Sequence, residues 1–221
     1  MHKLILVTMT ALAVTGCTYS HHGSGDDRSV EGAGLVASRN VDIAGDAEFA
    51  GMLVRVNGEV GRDLSMAGAS VRSDAKVGGD LEAAAARLRF TGEVDGDAEL
   101  AGASIDIDAT FHNNVSMAGA KIELDGLIEG ELEIYGHNVE LKGEVLGPVK
   151  MIGEGDTENG SLVLSGRFMG GGAFCATEIE VERSAEFAGE FVFVADAEPA
   201  NLPAGAVFEA LDGRECDRID L

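Results

Sequence analysis

Four aspartates recur every 17 residues, and their spacing is the one in this chain that suggests metal chemistry. They are Asp46, Asp63, Asp80 and Asp97. If they stack on successive coils, neighbouring carboxylates lie about 4.8 Å apart and repel by roughly 1 kcal/mol even in water. Bound calcium would relieve that repulsion. The alternative is that aspartate after glycine closes a corner through its own backbone, as in Asx turns, and we expect this structural role and no metal site.

Other residue types with catalytic chemistry do not assemble into a site in the sequence. His112 and His137 occupy different columns of the repeat, so they are not expected to stack. His21 and His22 are adjacent and can bind a metal, although such pairs are often incidental. No serine lies in a nucleophile elbow, and no Cys/His pair has zinc spacing. We therefore expect no enzyme activity and no cofactor.

The segment Met1–Cys17 carries the covalent chemistry that is easiest to identify. Lys3 precedes a short apolar core, and the segment ends in Val14-Thr15-Gly16-Cys17. It resembles a bacterial lipoprotein signal with its lipobox, which implies cleavage before Cys17 and acylation of that residue, anchoring the protein in a lipid bilayer. Thr18, where aspartate would imply inner-membrane retention, implies the outer membrane in a Gram-negative source. The alternative is an ordinary secretory signal with an incidental cysteine.

Two cysteines then remain, Cys175 and Cys216. Cysteine pairs in an oxidising envelope compartment often form disulfides. We predict a Cys175–Cys216 bridge that fastens the C-terminal tail to the last coils, the alternative being two free thiols.

These residues are positioned by a repeat of 17 residues. Six blocks abut without a gap: Ala44–Val60, Gly61–Val77, Gly78–Val94, Asp95–Phe111, His112–Ile128 and Glu129–Val145. Glycine predominates in the second, eighth and fifteenth columns, which indicates three corners per block. Between corners, apolar and polar residues alternate, as in strands with one buried face. We therefore predict that Leu100 and Ile107 face inward. The expected neighbours one coil away are Ala83 and Met117 for Leu100, and Phe90 and Leu124 for Ile107. The pattern predicts an all-β fold, a single-stranded parallel β-helix with about 17 residues per three-sided coil.

The repeat also predicts the domain organisation. Residues 1–16 form the signal peptide, residues 17–34 a lipid-anchored flexible tether, residues 35–195 the parallel β-helix, and residues 196–221 an irregular C-terminal cap. The insertion Glu154–Asn159 is acidic and interrupts one coil at a corner, where loops often bind partners.

The last coils are harder to delimit in the sequence. Ala185–Gly189 repeats Ala47–Gly51 almost letter for letter, so we expect a further coil to begin there. Phe191–Val194 is more apolar than the repeat requires, which predicts a cover on its outer side.

The formal net charge of the chain is −23. Such a field repels nucleic acid, which binds through neutralisation of its phosphates by Lys and Arg. Nucleic acid is therefore excluded as a partner.

Phrases such as Thr91–Asp97, TGEVDGD, and Lys142–Val145, KGEV, occur along residues 41–194. The repeat resembles the bactofilins, bacterial polymer-forming β-helix proteins. The resemblance implies a right-handed helix, end-to-end self-association and scaffolding at the cell envelope. We expect a non-enzymatic, lipid-anchored structural protein of the outer membrane, facing the periplasm or the cell surface. The alternative is a binding module for a glycan, a divalent cation or a protein partner of the envelope.

Overall fold

The computed structural model describes residues 18–22, 29–153, 160–212 and 216. These residues form an all-β parallel solenoid of about 10 turns, with about 17 residues per turn and essentially no helix. The predicted fold class and coil length are confirmed. Within the described ranges, no helix has the length and apolar character needed to span a membrane.

Long bent strands build the first coils, and shorter strands build the later ones. The strands are β1 Thr18–His22, β2 Ser29–Ile43, β3 Ala47–Val60, β4 Leu64–Val77, β5 Leu81–Val94, β6 Ala98–Phe111, β7 Val115–Ile128, β8 Leu132–Leu141, β9 Glu144–Val145, β10 Val149–Gly153, β11 Ser161–Leu164, β12 Arg167–Phe168, β13 Gly172–Cys175, β14 Glu178–Val181, β15 Glu186–Phe187, β16 Phe191–Ala195 and β17 Val207–Ala210. Each of β2 to β7 turns round the coil without interruption and pairs in parallel with the next.

The inward faces match the alternation in the sequence. Leu100 pairs with Ala83 on one side and with Met117 on the other, as predicted. Ile107 lies likewise between Phe90 and Leu124. Inward side chains such as Leu100 are buried, whereas Glu99 next to it is exposed. These columns of inward side chains together form a continuous apolar core along the rod.

The acidic insertion lengthens one coil and leaves the stacking intact. Coil partners before it are 17 residues apart, whereas Ser161 hydrogen-bonds Asn138 at a separation of 23. Leu162 and Leu164 remain buried in the core. The extra residues 154–159 lie outside the described part of the chain.

At the N-terminal end, the solenoid begins earlier than predicted. β2 starts at Ser29, and residues 30–34, which we expected in the tether, pair with β3. Val30 is buried, and β1 adds an antiparallel strand beside Ser29–Ala33. The reason for the error is Gly32, which occupies the inward column where the next coil has Phe49. A Cβ on Gly32 would lie 2.9 Å from the Phe49 ring, so that ring fills the space and the apolar alternation is invisible in the sequence.

At the C-terminal end, the predicted coil start at Ala185 is wrong. Glu186–Phe187 pairs with Arg167–Phe168 on the third side of the coil, and the next first side is β16. Phe187 stacks on Phe168 with ring centroids 5.1 Å apart. Local similarity to Ala47–Gly51 therefore reflects a shared strand pattern and not a shared place in the coil. The tail is also less irregular than predicted, because β17 pairs in parallel with β16.

The tail covers the outer side of the last coils. Cys175 and Cys216 form a disulfide with Cα atoms 5.6 Å apart, which confirms the predicted bridge. Leu211 and Cys216 pack on the outward side chains of Ile152, Cys175 and Val194. This second apolar layer accounts for the surplus of apolar residues in Phe191–Val194 and confirms the predicted cover.

Substitution of Leu100 by aspartate is expected to unfold the rod from the middle. The change places a carboxylate between Ala83 and Met117, which costs several kcal/mol, and each coil is stabilised only by its neighbours. The matched control is Glu99→Lys, on the adjacent exposed side chain, which should leave stability within about 0.5 kcal/mol. Thermal unfolding followed by circular dichroism compares the two. A larger loss for Glu99→Lys than for Leu100→Asp would contradict the assignment of faces.

Candidate functional site

The aspartate column forms a ladder of hydrogen bonds that runs along the rod. The backbone N–H of Asp80 donates to Asp63 Oδ1, and that of Asp97 donates to Asp80 Oδ1, each at 2.9 Å. Asn114 continues the ladder by accepting from the N–H of Glu131 at 3.0 Å. Each side chain thus bonds to the backbone of the next coil. The expected Asx turn, in which the side chain bonds to its own backbone, is not what forms here. The ladder joins coils at a corner where β pairing is interrupted.

Glycine in the second column makes room for this ladder. A Cβ on Gly79 would lie 2.2 Å from Asp63 Oδ1, and one on Gly96 would lie 2.3 Å from Asp80 Oδ1. Where the column holds a larger residue, the ladder bond is longer: 3.5 Å at Arg62 and 3.2 Å at Asn113, against 2.9–3.0 Å beside glycine. The Gly-Asp pair is therefore a single unit in which the glycine admits the carboxylate of the previous coil.

The ladder ends where its donor disappears. The next residue in the column is Pro148, which has no N–H to offer to Glu131, although its carbonyl still accepts from the N–H of Leu132 at 2.9 Å. The ladder gives the aspartate column a structural role, because each Oδ1 bonds the amide of the next coil.

A second polar cluster lies on an outer corner of the rod, around His112. Nδ1 of His112 lies 3.0 Å from Glu129 Oε2, and Nε2 lies 3.1 Å from Glu93 Oε1 and 3.9 Å from Asp95 Oδ1. Lys76 Nζ also contacts Glu93 Oε1, at 3.3 Å. Ligand atoms of Glu93, Asp95 and His112 all lie within 4.8 Å of one another.

The carboxylates of this cluster favour the protonated, positively charged form of the His112 imidazole. Hydrogen bonds to Glu129 and then to Glu93 raise the pKa of His112 above its usual 6.5. The same contact with His112, followed by that with Lys76, lowers the pKa of Glu93. All these groups are reached by solvent, so salt screens their pairing and the energy of each pair is small.

Sequence reasoning missed this cluster, although part of its signal was visible. Asp95, His112 and Glu129 share the first column of consecutive blocks, so the 17-residue period stacks them. A comparison of His112 with His137 alone does not reveal these acidic column neighbours. Glu93 joins from the preceding side of the coil, and its approach depends on side-chain geometry.

A third feature is an acidic groove over the free edge of β14. β14 pairs with β11 on one side. On the other, the segment Asp196–Asn201 crosses above it: the N–H of Asp196 donates to Thr177 O at 3.1 Å, and Asn201 Nδ2 donates to Val181 O at 2.7 Å. Between these contacts lies a groove of about 1040 Å³. Its acidic lining residues are Glu178, Glu180, Glu182, Asp196 and Glu198, beside Arg183.

The two ends of the solenoid differ. At the C-terminal end, Phe174, Phe187, Phe191 and Phe193 pack with centroids 5.1–6.5 Å apart, and the tail lies over them. At the N-terminal end, β1 pairs only with Ser29–Ala33, and no described residue pairs with the outer edge of residues 34–43. Ala37 in that first coil is half-buried, whereas its partner Val54 one coil further on is fully buried.

The remaining sites predicted from sequence lie outside the described residues. Cys17, the expected acylation site, is one, and the insertion Glu154–Asn159 is the other. His137 lies at a different corner from His112, as expected from its column.

Comparison with known proteins adds no relative: neither a family model, nor a curated protein, nor a solved structure matches this chain.

Gly79→Ala is expected to lower the free energy of unfolding by about 1–3 kcal/mol, the range for overpacked sites, because its Cβ meets the Asp63 carboxylate. In an Asp63→Ala background the same change should cost less, giving a coupling of about 0.5–3 kcal/mol. Denaturant unfolding of the four proteins of this cycle measures the coupling. Asp63→Asn is the matched control, since an amide oxygen serves the ladder at Asn114. Purely additive costs would contradict the role of the glycine column.

Proposed function

We propose that this chain is a non-enzymatic structural protein of the bacterial cell envelope, bactofilin-like, anchored to the outer membrane through an acylated Cys17. The β-solenoid supports a structural role, because its described core is a regular apolar cluster that continues from coil to coil. The lipobox-like segment Met1–Cys17 supports the anchor. The acylated residue would hold the N-terminal side of the rod near the bilayer.

The asymmetry of the ends supports self-association through the N-terminal coil. Unpaired strand edges are templates for pairing with another chain. The edge of β2 at residues 34–43, with which no described residue pairs, lies beside exposed apolar side chains. Leu35 is 71% exposed, Val36 57% and Met52 63%. The C-terminal end carries the opposite arrangement, since its tail and disulfide close the core. Association through one open end would yield paired rods, and further growth would require the capped end to open.

The acidic groove over β14 favours a second candidate function, as a binding module. A free strand edge bonds the backbone of an extended peptide, and the five acidic side chains around it favour a basic one. If the chain is a binding module, its expected partner is a basic, extended segment of an envelope protein. Rods that remain single in solution would favour this function over self-association.

Ala37→Lys is expected to abolish assembly. An inward-pointing charge on an edge strand blocks edge-to-edge pairing, and Ala37 is the half-buried inward residue of the open coil. Val36→Lys introduces a charge at the same end on an exposed side chain, so it places no charge in the core. The control is Ala103→Lys, an exposed alanine in a middle coil, which should assemble like the unmodified protein. Light scattering and negative-stain micrographs measure the assembly. Single rods from the unmodified protein, or paired rods from both edge variants, would contradict the proposal.

Cys17→Ser is expected to move the protein from the membrane fraction to a soluble or unprocessed pool, because the serine hydroxyl is not a substrate for thioether formation. Cys175→Ser with Cys216→Ser is the control, since it removes the other two cysteines and keeps the anchor. Membrane fractionation and intact mass report the result. Unchanged mass and fractionation for Cys17→Ser would refute the anchor and leave the structural role to the assembly experiment.

A further inference from the structure

We propose that Glu93, Asp95 and His112 form a binding site for a divalent transition-metal ion, with Zn²⁺ as the expected occupant. The inference stands on the described geometry and does not depend on the anchor or on self-association.

The orientation of the imidazole is the first argument. Glu129 accepts a hydrogen bond from Nδ1 of His112 at 3.0 Å. A carboxylate that holds one ring nitrogen in this way leaves the other as a ligand, and metal-bound histidines usually have such a partner. Nε2 therefore faces Glu93 and Asp95, and a bound ion would take the place of its proton.

The distances are the second argument. Zinc bonds to histidine nitrogen and to carboxylate oxygen are about 2.0–2.2 Å long, so ligand atoms of a tetrahedral site lie roughly 3.4 Å apart. His112 Nε2 lies 3.1 Å from Glu93 Oε1 and 3.9 Å from Asp95 Oδ1, on either side of that value. All three ligand atoms lie within 4.8 Å of one another. An ion between them would draw the two carboxylates inward by side-chain rotation, and water would fill the fourth position.

The surroundings are the third argument. The side chains are between 36% and 46% exposed, so an ion reaches them directly from solvent. A net charge of −23 raises the concentration of cations near the rod. One imidazole with two carboxylates suits zinc better than calcium or magnesium, which prefer sites made of oxygen alone. Lys76 opposes binding, because its ammonium shares Glu93 Oε1 with the expected ion.

The test is a zinc titration of the metal-free full chain in detergent, by isothermal calorimetry near pH 7. All variants carry His21→Asn and His22→Asn, because adjacent histidines bind the same ions. We expect one Zn²⁺ per chain, a loss of at least tenfold in affinity for His112→Asn, and a loss of about tenfold for Glu129→Gln, the lower limit for removing the partner of a ligand. Lys76→Met should tighten binding by removing the competing cation.

His137→Asn is the matched control, an imidazole on another corner, and it should bind zinc with unchanged affinity. A second readout uses Co²⁺, whose visible absorption is intense in tetrahedral sites: the band should appear on titration and vanish in His112→Asn. Thermal unfolding without metal shows whether each variant is folded. Zinc affinity that is unaltered by His112→Asn, equal losses for His112→Asn and His137→Asn, or no binding at all would overturn the proposal.

Discussion

The structure depends on one constraint, the parallel register that places every residue above its equivalent 17 positions earlier. Backbone hydrogen bonds between coils satisfy the polar groups of three sides at once, and the same register stacks inward apolar residues into a single core. Whether a side chain fits therefore depends mainly on its two column neighbours, one on each adjacent coil. This is why a six-residue insertion, which changes the separation to 23, disturbs no buried position beyond it.

The corners show how that constraint selects residue types. Strand pairing is interrupted there, and carboxylates restore a coil-to-coil bond by accepting from the next amide. Each aspartate of the column uses one carboxylate oxygen, Oδ1, for this bond. Glycine is needed beside them because of space: at Gly79 the nearest obstacle to a side chain is the carboxylate of Asp63, followed by the backbone of Arg62, and no unusual backbone angle is involved. Two columns of the repeat are thus explained by one contact.

The parts of the fold that could be predicted from sequence are those in which both periods are visible. Alternation of period two identified Leu100 and Ile107 as inward, and the 17-residue period identified their neighbours. The start of the first coil was placed too late because Gly32 leaves its inward position to the ring of Phe49. The place of Phe187 was missed because a local match does not report on which side of the triangle a strand lies. The His112 cluster needed the same column comparison that identified the core, applied to polar residues, together with a side-chain approach from Glu93 that no spacing determines.

The contrast between the closed and open ends also bears on where the rod meets its surroundings. The C-terminal end, which lies furthest in sequence from the lipobox-like segment, is closed by aromatic packing, by the returning tail and by the disulfide. The opposite terminus has a short antiparallel strand and a glycine in place of a large core residue.

The exact tiling of the blocks has a genetic consequence. Because no residue separates one block from the next, an in-frame duplication of 17 codons inserts a complete coil whose two faces already fit their new neighbours. Each such event extends the molecule by about 4.8 Å and leaves both termini unchanged. Rod length is therefore a heritable variable that unequal recombination within one gene can adjust in steps of fixed size.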